Sequence, residues 1–257
     1  MTTHSPTAET AFLTRPRPLV QRVWTVTRLL FANPWTAIYT PLLILAFIWL
    51  MNIAIWTLVH VTVDVGNDAD STINGGSLFL FIYMLVVAVQ SVNQTFSLSL
   101  GYGQTRRDFF LGSAVFYIIL SVGYAALLAT LALAESATNG WGIQMNFFST
   151  SVIGLDGWWQ GFTFGFLMFM LFLFIGAATA SVYVRWRAIG MYVFWASVTV
   201  LLFGGAVLLT WLEAWPQVGQ FFVVAGVLGS AAWSLIFTGF CAVAAWLILR
   251  RATPSQG

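Results

Sequence analysis

Six apolar stretches, each long enough to cross a membrane, are separated by polar gaps whose charge alternates in sign. A hydrocarbon core of about 30 Å takes roughly 20 helical residues. Such stretches run at about 38–60, 77–100, 110–134, 162–184, 189–212 and 229–249. The chain has no lysine, and its ten basic residues are all arginine. They fall in four clusters: Arg15, Arg17, Arg22 and Arg28; Arg106 and Arg107; Arg185 and Arg187; Arg250 and Arg251. Six acids occupy the complementary gaps, at Asp64, Asp68, Asp70, Glu135, Asp156 and Glu213, whereas Glu9 and Asp108 accompany arginine.

With 60% apolar and only 7% charged residues in 257, a soluble domain would lack polar surface. The expected fold is an all-α polytopic membrane protein with six transmembrane helices. Arginine-rich loops belong in the cytoplasm. That rule places the four clusters inside, the acidic gaps outside and both termini in the cytoplasm. Met1–Thr14 has no apolar core of its own to serve as a cleaved signal. Thirteen tryptophans agree with interfacial anchoring, with Trp56, Trp141, Trp158, Trp159, Trp211 and Trp215 at the outer ends. The expected organisation is a disordered head at 1–17, one transmembrane domain at 18–251 and a cytoplasmic tail at 252–257.

Before the first span, helical projection puts Leu19, Val20, Val23, Val26, Leu30 and Phe31 on one side. Gln21, Arg22, Thr25 and Arg28 fall on the other. The pattern predicts an interfacial elbow helix over 18–33, with Arg22 and Arg28 on its polar face and Trp24 at the edge, lying in the plane of the cytoplasmic leaflet. Asn33-Pro34 breaks it, and Pro41 falls where the first span starts. The alternative is a juxtamembrane helix that only anchors.

Between the second and third spans, Thr105-x-x-Asp108 has capping-box spacing, so a helix should start at Thr105. Arg106 and Arg107 then occupy its first turn, where the helix dipole disfavours cations. Anionic lipid or an acidic groove on another protein would neutralise them.

The run Leu98-Ser-Leu-Gly101, followed by Thr105-Arg-Arg-Asp-Phe109 and Gly112, resembles the inner loop of bacterial ABC transporter permeases of the type-2 exporter class. The closing Leu247-Ile-Leu-Arg-Arg-Ala-Thr-Pro254 is similar to the end of those chains. The resemblance implies a coupling helix that docks on a separate ATPase subunit, carried by Gly101, Thr105, Arg106, Arg107, Asp108, Phe109 and Phe110. Tyr102-Gly-Gln104 is longer than the family's usual link. The resemblance also implies a re-entrant segment between spans five and six. From Trp211 to Arg250 the chain is about twice as long as one span needs. Glu213-Ala-Trp-Pro216 breaks it, and Gln217–Leu228 is too short to cross, which fits a segment ending near Gly226 or Gly229. Glu213 and Trp215 then sit at an outer gate; the other reading is one long tilted helix from Gln220.

No enzyme chemistry is expected of this chain. A nucleotide-binding P-loop requires lysine, so ATP and Mg belong to a partner. His4, His60 and the single Cys241 cannot assemble a metal site, and no GxSxG elbow is present. Gln90, Asn93, Gln94 and Ser97 share a face of span two by helical spacing. They read as a pathway wall, a dimer seam, or hydrogen-bonding glue within one subunit. Small-residue seams at Gly161/Gly165, Gly176–Ala180 and Gly226/Gly229 allow close helix approach.

The expected function is a permease that pairs with itself or a similar chain and with two ATPase subunits. It would export a hydrophobic or amphipathic substrate, contact membrane lipid and bind no nucleic acid. The alternative is a non-transporting membrane sensor, immunity or scaffold protein.

Overall fold

The computed structural model describes residues 18–62, 78–148, 155 and 157–251. The expected head at 1–17, the tail at 252–257 and the acids Asp64, Asp68, Asp70 and Asp156 lie outside the described residues. Among the described residues the chain is helical, with no strand. The helices are α1 (Leu19–Leu30), α2 (Thr40–Thr62), α3 (Leu78–Gly101), α4 (Arg106–Ala137), α5 (Trp158–Trp211) and α6 (Trp215–Leu249). Five of them are long and apolar enough to cross a membrane: α2 with the turn before it, and α3 to α6.

Antiparallel register organises the bundle. The Phe96 ring of α3 meets Phe109 of α4, and one helical stretch further on Ser91 pairs with Tyr117 at 2.9 Å. Along α5, Phe174 meets Tyr117, Gly165 approaches Ala125, and the Trp158 indole donates to Thr130. Gly176 belongs to the expected small-residue seam and packs on α3. A Cβ there would overlap the Leu85 carbonyl oxygen and lie 2.8 Å from the Ala88 methyl. α6 returns to the start of α4, where Trp246 meets Phe110. One end of the bundle therefore carries the α3–α4 link, the last turn of α6 and Arg106, Arg107 and Arg250.

The segment from Arg22 to Ala37 departs from expectation. Arg22 pairs with Asp108, Thr27 donates to the Gly112 carbonyl at 3.1 Å, Phe31 packs edge-on to Phe116, and the Tyr124 hydroxyl donates to the Ala37 carbonyl at 2.8 Å. The hydrogen-bonded pairs keep sequence separations of 86, 85 and 87. Two helices hold so constant an offset only when they run side by side in the same direction, because a steep crossing touches at one turn. α1 therefore runs alongside α4 in the same direction, a pairing within the bundle that the expected in-plane elbow did not include. The apolar face did not predict the contact surface fully either. Val26, Thr27 and Leu30 are buried, while Leu19 and Val20 are exposed.

Close approach explains the packing. A Cβ on Gly112 would lie 2.6 Å from the Val26 Cβ and 3.0 Å from the Val23 carbonyl oxygen, so only glycine lets α1 come so near α4. The join between α1 and α2 is a wide π turn over Trp35–Tyr39. Pro41 has no N–H to give the Ala37 carbonyl four residues back. Tyr124 supplies the missing donor, and the Tyr83 hydroxyl reaches Thr36 O at 3.2 Å.

Expected spans 162–184 and 189–212 fall within the 54-residue α5, where Arg187 alone is non-helical (φ 56°, ψ −148°). Gly190 lies so close to Trp186 that a Cβ would overlap the Trp186 Cβ, as a sharp change of direction requires. In α6, Gly226 breaks the helix at φ 65°, in the region where glycine was expected to punctuate it. Glu213 at φ 51° makes the turn between α5 and α6.

Candidate functional site

At the arginine-bearing end the chain builds a clasp around Thr105 and Asp108. α3 ends at Gly101, and Gly103, at φ 76°, turns the chain toward α4. The capping box is present in full: Thr105 Oγ1 accepts the Asp108 N–H at 3.2 Å, and Asp108 Oδ2 accepts the Thr105 N–H at 3.1 Å. The Thr105 hydroxyl also donates to Oδ2 at 2.6 Å. A third element joins from α1. Arg22 Nε donates to Asp108 Oδ2 at 2.9 Å, Nη2 pairs with the same oxygen, and Nη2 reaches Thr105 Oγ1 at 3.3 Å.

Asp108 is only 1% exposed. Burial alone pushes its carboxyl up, but the hydrogen bonds from Thr105 and Arg22 outweigh it and hold it below the usual aspartate value. The carboxylate therefore stays ionised, and α1 is tied electrostatically to the first turn of α4.

The coupling residues expected from the sequence divide into two groups. Asp108 and Phe109 are buried, the latter fully and against Phe96. Phe110 is half-buried beside Trp246. Gly101, Thr105 and Arg107 are exposed, and the half-exposed Arg106 donates from Nη1 to the Arg250 carbonyl at 2.6 Å, tying α4 to the end of α6. No separate short helix precedes the span, because α4 runs unbroken from Arg106 to Ala137. Of the expected elbow residues, Arg22 serves the clasp, while Trp24 and Arg28 are exposed.

Within α3, Gln90 and Asn93 are half-buried and Gln94 and Ser97 exposed. The Asn93 carbonyl oxygen is buried without a partner among the described residues. The tie between α3 and α4 is made instead by Ser91 and Tyr117. At the α5–α6 turn Glu213 is exposed, and the Trp215 indole donates to Thr210 at 3.0 Å.

The opposite end holds a site that the sequence reading used only for topology. Glu135, 1% exposed, accepts the Phe147 and Phe148 N–H groups at 3.0 Å and the Trp141 indole N–H at 3.1 Å. A run of positive φ at Asn139, Gly140, Trp141 and Gly142 folds the loop back over the carboxylate. An acid four residues before Asn-Gly-Trp-Gly was the available signal. Beside it, a cavity of about 200 Å³ between α2 and α4 is lined by apolar groups including Leu42, Trp49, Leu131 and Trp141. No protein-family model, curated protein or solved structure matches this chain.

Proposed function

We propose that the chain is the membrane-spanning permease subunit of an ATP-driven ABC exporter, working with a separate ATPase. The observation that carries the reading is the clasp with exposed arginine beside it. Arg107 projects from a capped helix start that is joined through Arg22 to α1 and through Arg106 to the end of α6. A push on this turn would reach three helices at once. The break at Arg187 supports six spans, since the segments on either side of it are each long enough to cross. Both termini then lie on the arginine side, which is cytoplasmic by the charge rule. The 215–225 segment before Gly226 is too short to cross, which supports a re-entrant segment with Glu213 and Trp215 at its mouth.

The partly exposed row of Gln90, Asn93, Gln94 and Ser97 makes no hydrogen bond to another helix among the described residues. It is read as a cavity wall or a seam to a second subunit. Apolar walls favour a lipid, peptide or drug-like substrate. A second reading, a non-transporting sensor or immunity protein, draws support from the burial of Asp108 and Phe109, which leaves a small docking surface.

The test is purification in mild detergent with identification of a bound ATPase, for wild type and for the Arg106→Glu/Arg107→Glu pair. Co-purification that the charge reversal abolishes, with membrane insertion intact, is the expected result. Absence of any ATPase from the wild-type preparation would favour the second reading.

A further inference from the structure

Beside the clasp, and outside it, a cleft of about 420 Å³ opens between α1 and the α3–α4 link, lined by Thr25, Val26, Arg28, Leu29, Tyr102 and Gln104. Its size falls at the low end for a ligand site, about 300–1,000 Å³. Three observations give it chemistry. Arg28 is exposed in the last turn of α1 and has no carboxylate partner among the described residues. Gln104 Oε1 is buried and has no donor among the described residues, although a buried acceptor normally finds one. Tyr102 is 70% exposed, so its hydroxyl is free to turn into the cleft. The floor, Val26 and Leu29, is apolar. The cleft therefore sets Arg28 on its α1 wall against Tyr102 and Gln104 on the wall of the link, over an aliphatic base, and a turn of the Gln104 amide about its last torsion brings its unpaired acceptor to a bound donor.

We propose that this cleft binds the headgroup of a membrane phospholipid whose phosphodiester ends in a hydrogen-bond donor, an ammonium or a hydroxyl. Arg28 and Tyr102 take the phosphate, whose charge and acceptor oxygens suit a guanidinium fork. Gln104 Oε1 accepts from the terminal donor, which fills the unpaired acceptor. The acyl chains leave over Leu29 toward the hydrocarbon. The depth is suitable: the cleft lies at the bundle end that carries Arg22, Arg106 and Arg250, where headgroups meet an arginine-rich rim. A quaternary headgroup such as choline has the phosphate but no N–H, so the site discriminates by a donor rather than by charge. The inference rests on that end lying at headgroup level and is independent of transport. Failure to capture an ATPase leaves it standing, and loss of lipid selectivity leaves the permease reading standing.

The experiment loads the full chain in detergent with palmitoyl-oleoyl phosphatidylethanolamine, the matching phosphatidylcholine or the matching diacylglycerol, and counts retained lipid by native mass spectrometry. The expected result is about tenfold preference for phosphatidylethanolamine over phosphatidylcholine, the worth of one hydrogen bond at a desolvated site, with diacylglycerol weakest. Arg28→Gln should lower retention of both phospholipids about tenfold. Gln104→Leu should erase the preference while leaving phosphatidylcholine unchanged. Tryptophan-fluorescence melting certifies that each variant is folded; if Arg28→Gln is not, Tyr102→Phe replaces it and should weaken both phospholipids. Equal retention of all three lipids, or folded variants that behave as wild type, would overturn the assignment. Displacement of bound lipid by free glycerophosphoethanolamine at equal concentration would also overturn it, in favour of a soluble ligand.

Discussion

Arg22 and Asp108 should be energetically coupled across the 86 residues that separate them. Replacing Arg22 with Gln leaves a carboxylate that is 1% exposed with only its Thr105 hydrogen bonds. A hydrogen bond to a charged group contributes about 1.5–3 kcal/mol, and removing one partner of a fully buried ion pair costs about 3–5 kcal/mol. Arg22 is 32% exposed, so water screens part of the attraction, and Thr105 continues to satisfy Asp108 in part. Both effects pull the expected loss to about 2 kcal/mol. Asp108→Asn should cost about as much, because it removes the charge and weakens the cap together. In the double variant the remaining groups are neutral, and the loss should be well below the sum, giving a coupling of about 1.5 kcal/mol. The four proteins are compared by equilibrium unfolding in mixed micelles, with tryptophan fluorescence as the signal. Additivity to within about 0.5 kcal/mol would show that the pair is a contact without energetic consequence, and the clasp would lose its role in tying α1 to α4.

Gly112→Ala should destabilise by about 1–3 kcal/mol, because the new methyl must displace Val26 or the Val23 carbonyl; thermal unfolding of the detergent-solubilised protein measures it. Tyr124→Phe strips the donor from the Ala37 carbonyl that Pro41 cannot serve, and the same assay should report a loss of about 1–2 kcal/mol, with faster hydrogen exchange in residues 35–41. Because the Asp108 carboxyl titrates below its unfolded value of about 3.9, its contribution is intact above that pH and is lost only as pH falls through the lower, folded value. An acid titration should therefore leave the α1–α4 contact unchanged between pH 6 and 4.5, and Asp108→Asn should abolish the transition below it.

Helix positions were readable from composition because each apolar run carries its own periodicity and punctuation. Thr105 and Asp108 specify their cap within four residues, and the structure contains both reciprocal bonds. Gly226 and Glu213-Ala-Trp-Pro216 likewise mark their own breaks. The direction of α1 was not readable. Amphipathicity gives a helix an apolar side without saying whether lipid or another helix covers it, and the covering surface here is Gly112 and Phe116, far along the chain. Thr27 shows the same limit: its hydroxyl is buried because it donates to Gly112, which no local pattern announces. Arg22 looked like one more interfacial cation until Asp108 stood beside it. Glu135 was read as outer charge, yet it is an internal acceptor whose donors come from a loop with four positive φ values.

The constant offset between residues 22–37 and α4 also sets a timetable for biogenesis. Arg22, the Val26–Thr27 surface and the Ala37 carbonyl are synthesised about 86 residues before their partners, which at 5–20 residues per second is on the order of ten seconds. Throughout that interval the nascent segment must be held at the insertion machinery or by surrounding lipid, with a proline-orphaned carbonyl and an unmatched guanidinium. Completion of α4 is the event that releases it, so early assembly of this protein is governed by the arrival of the third apolar run rather than the first.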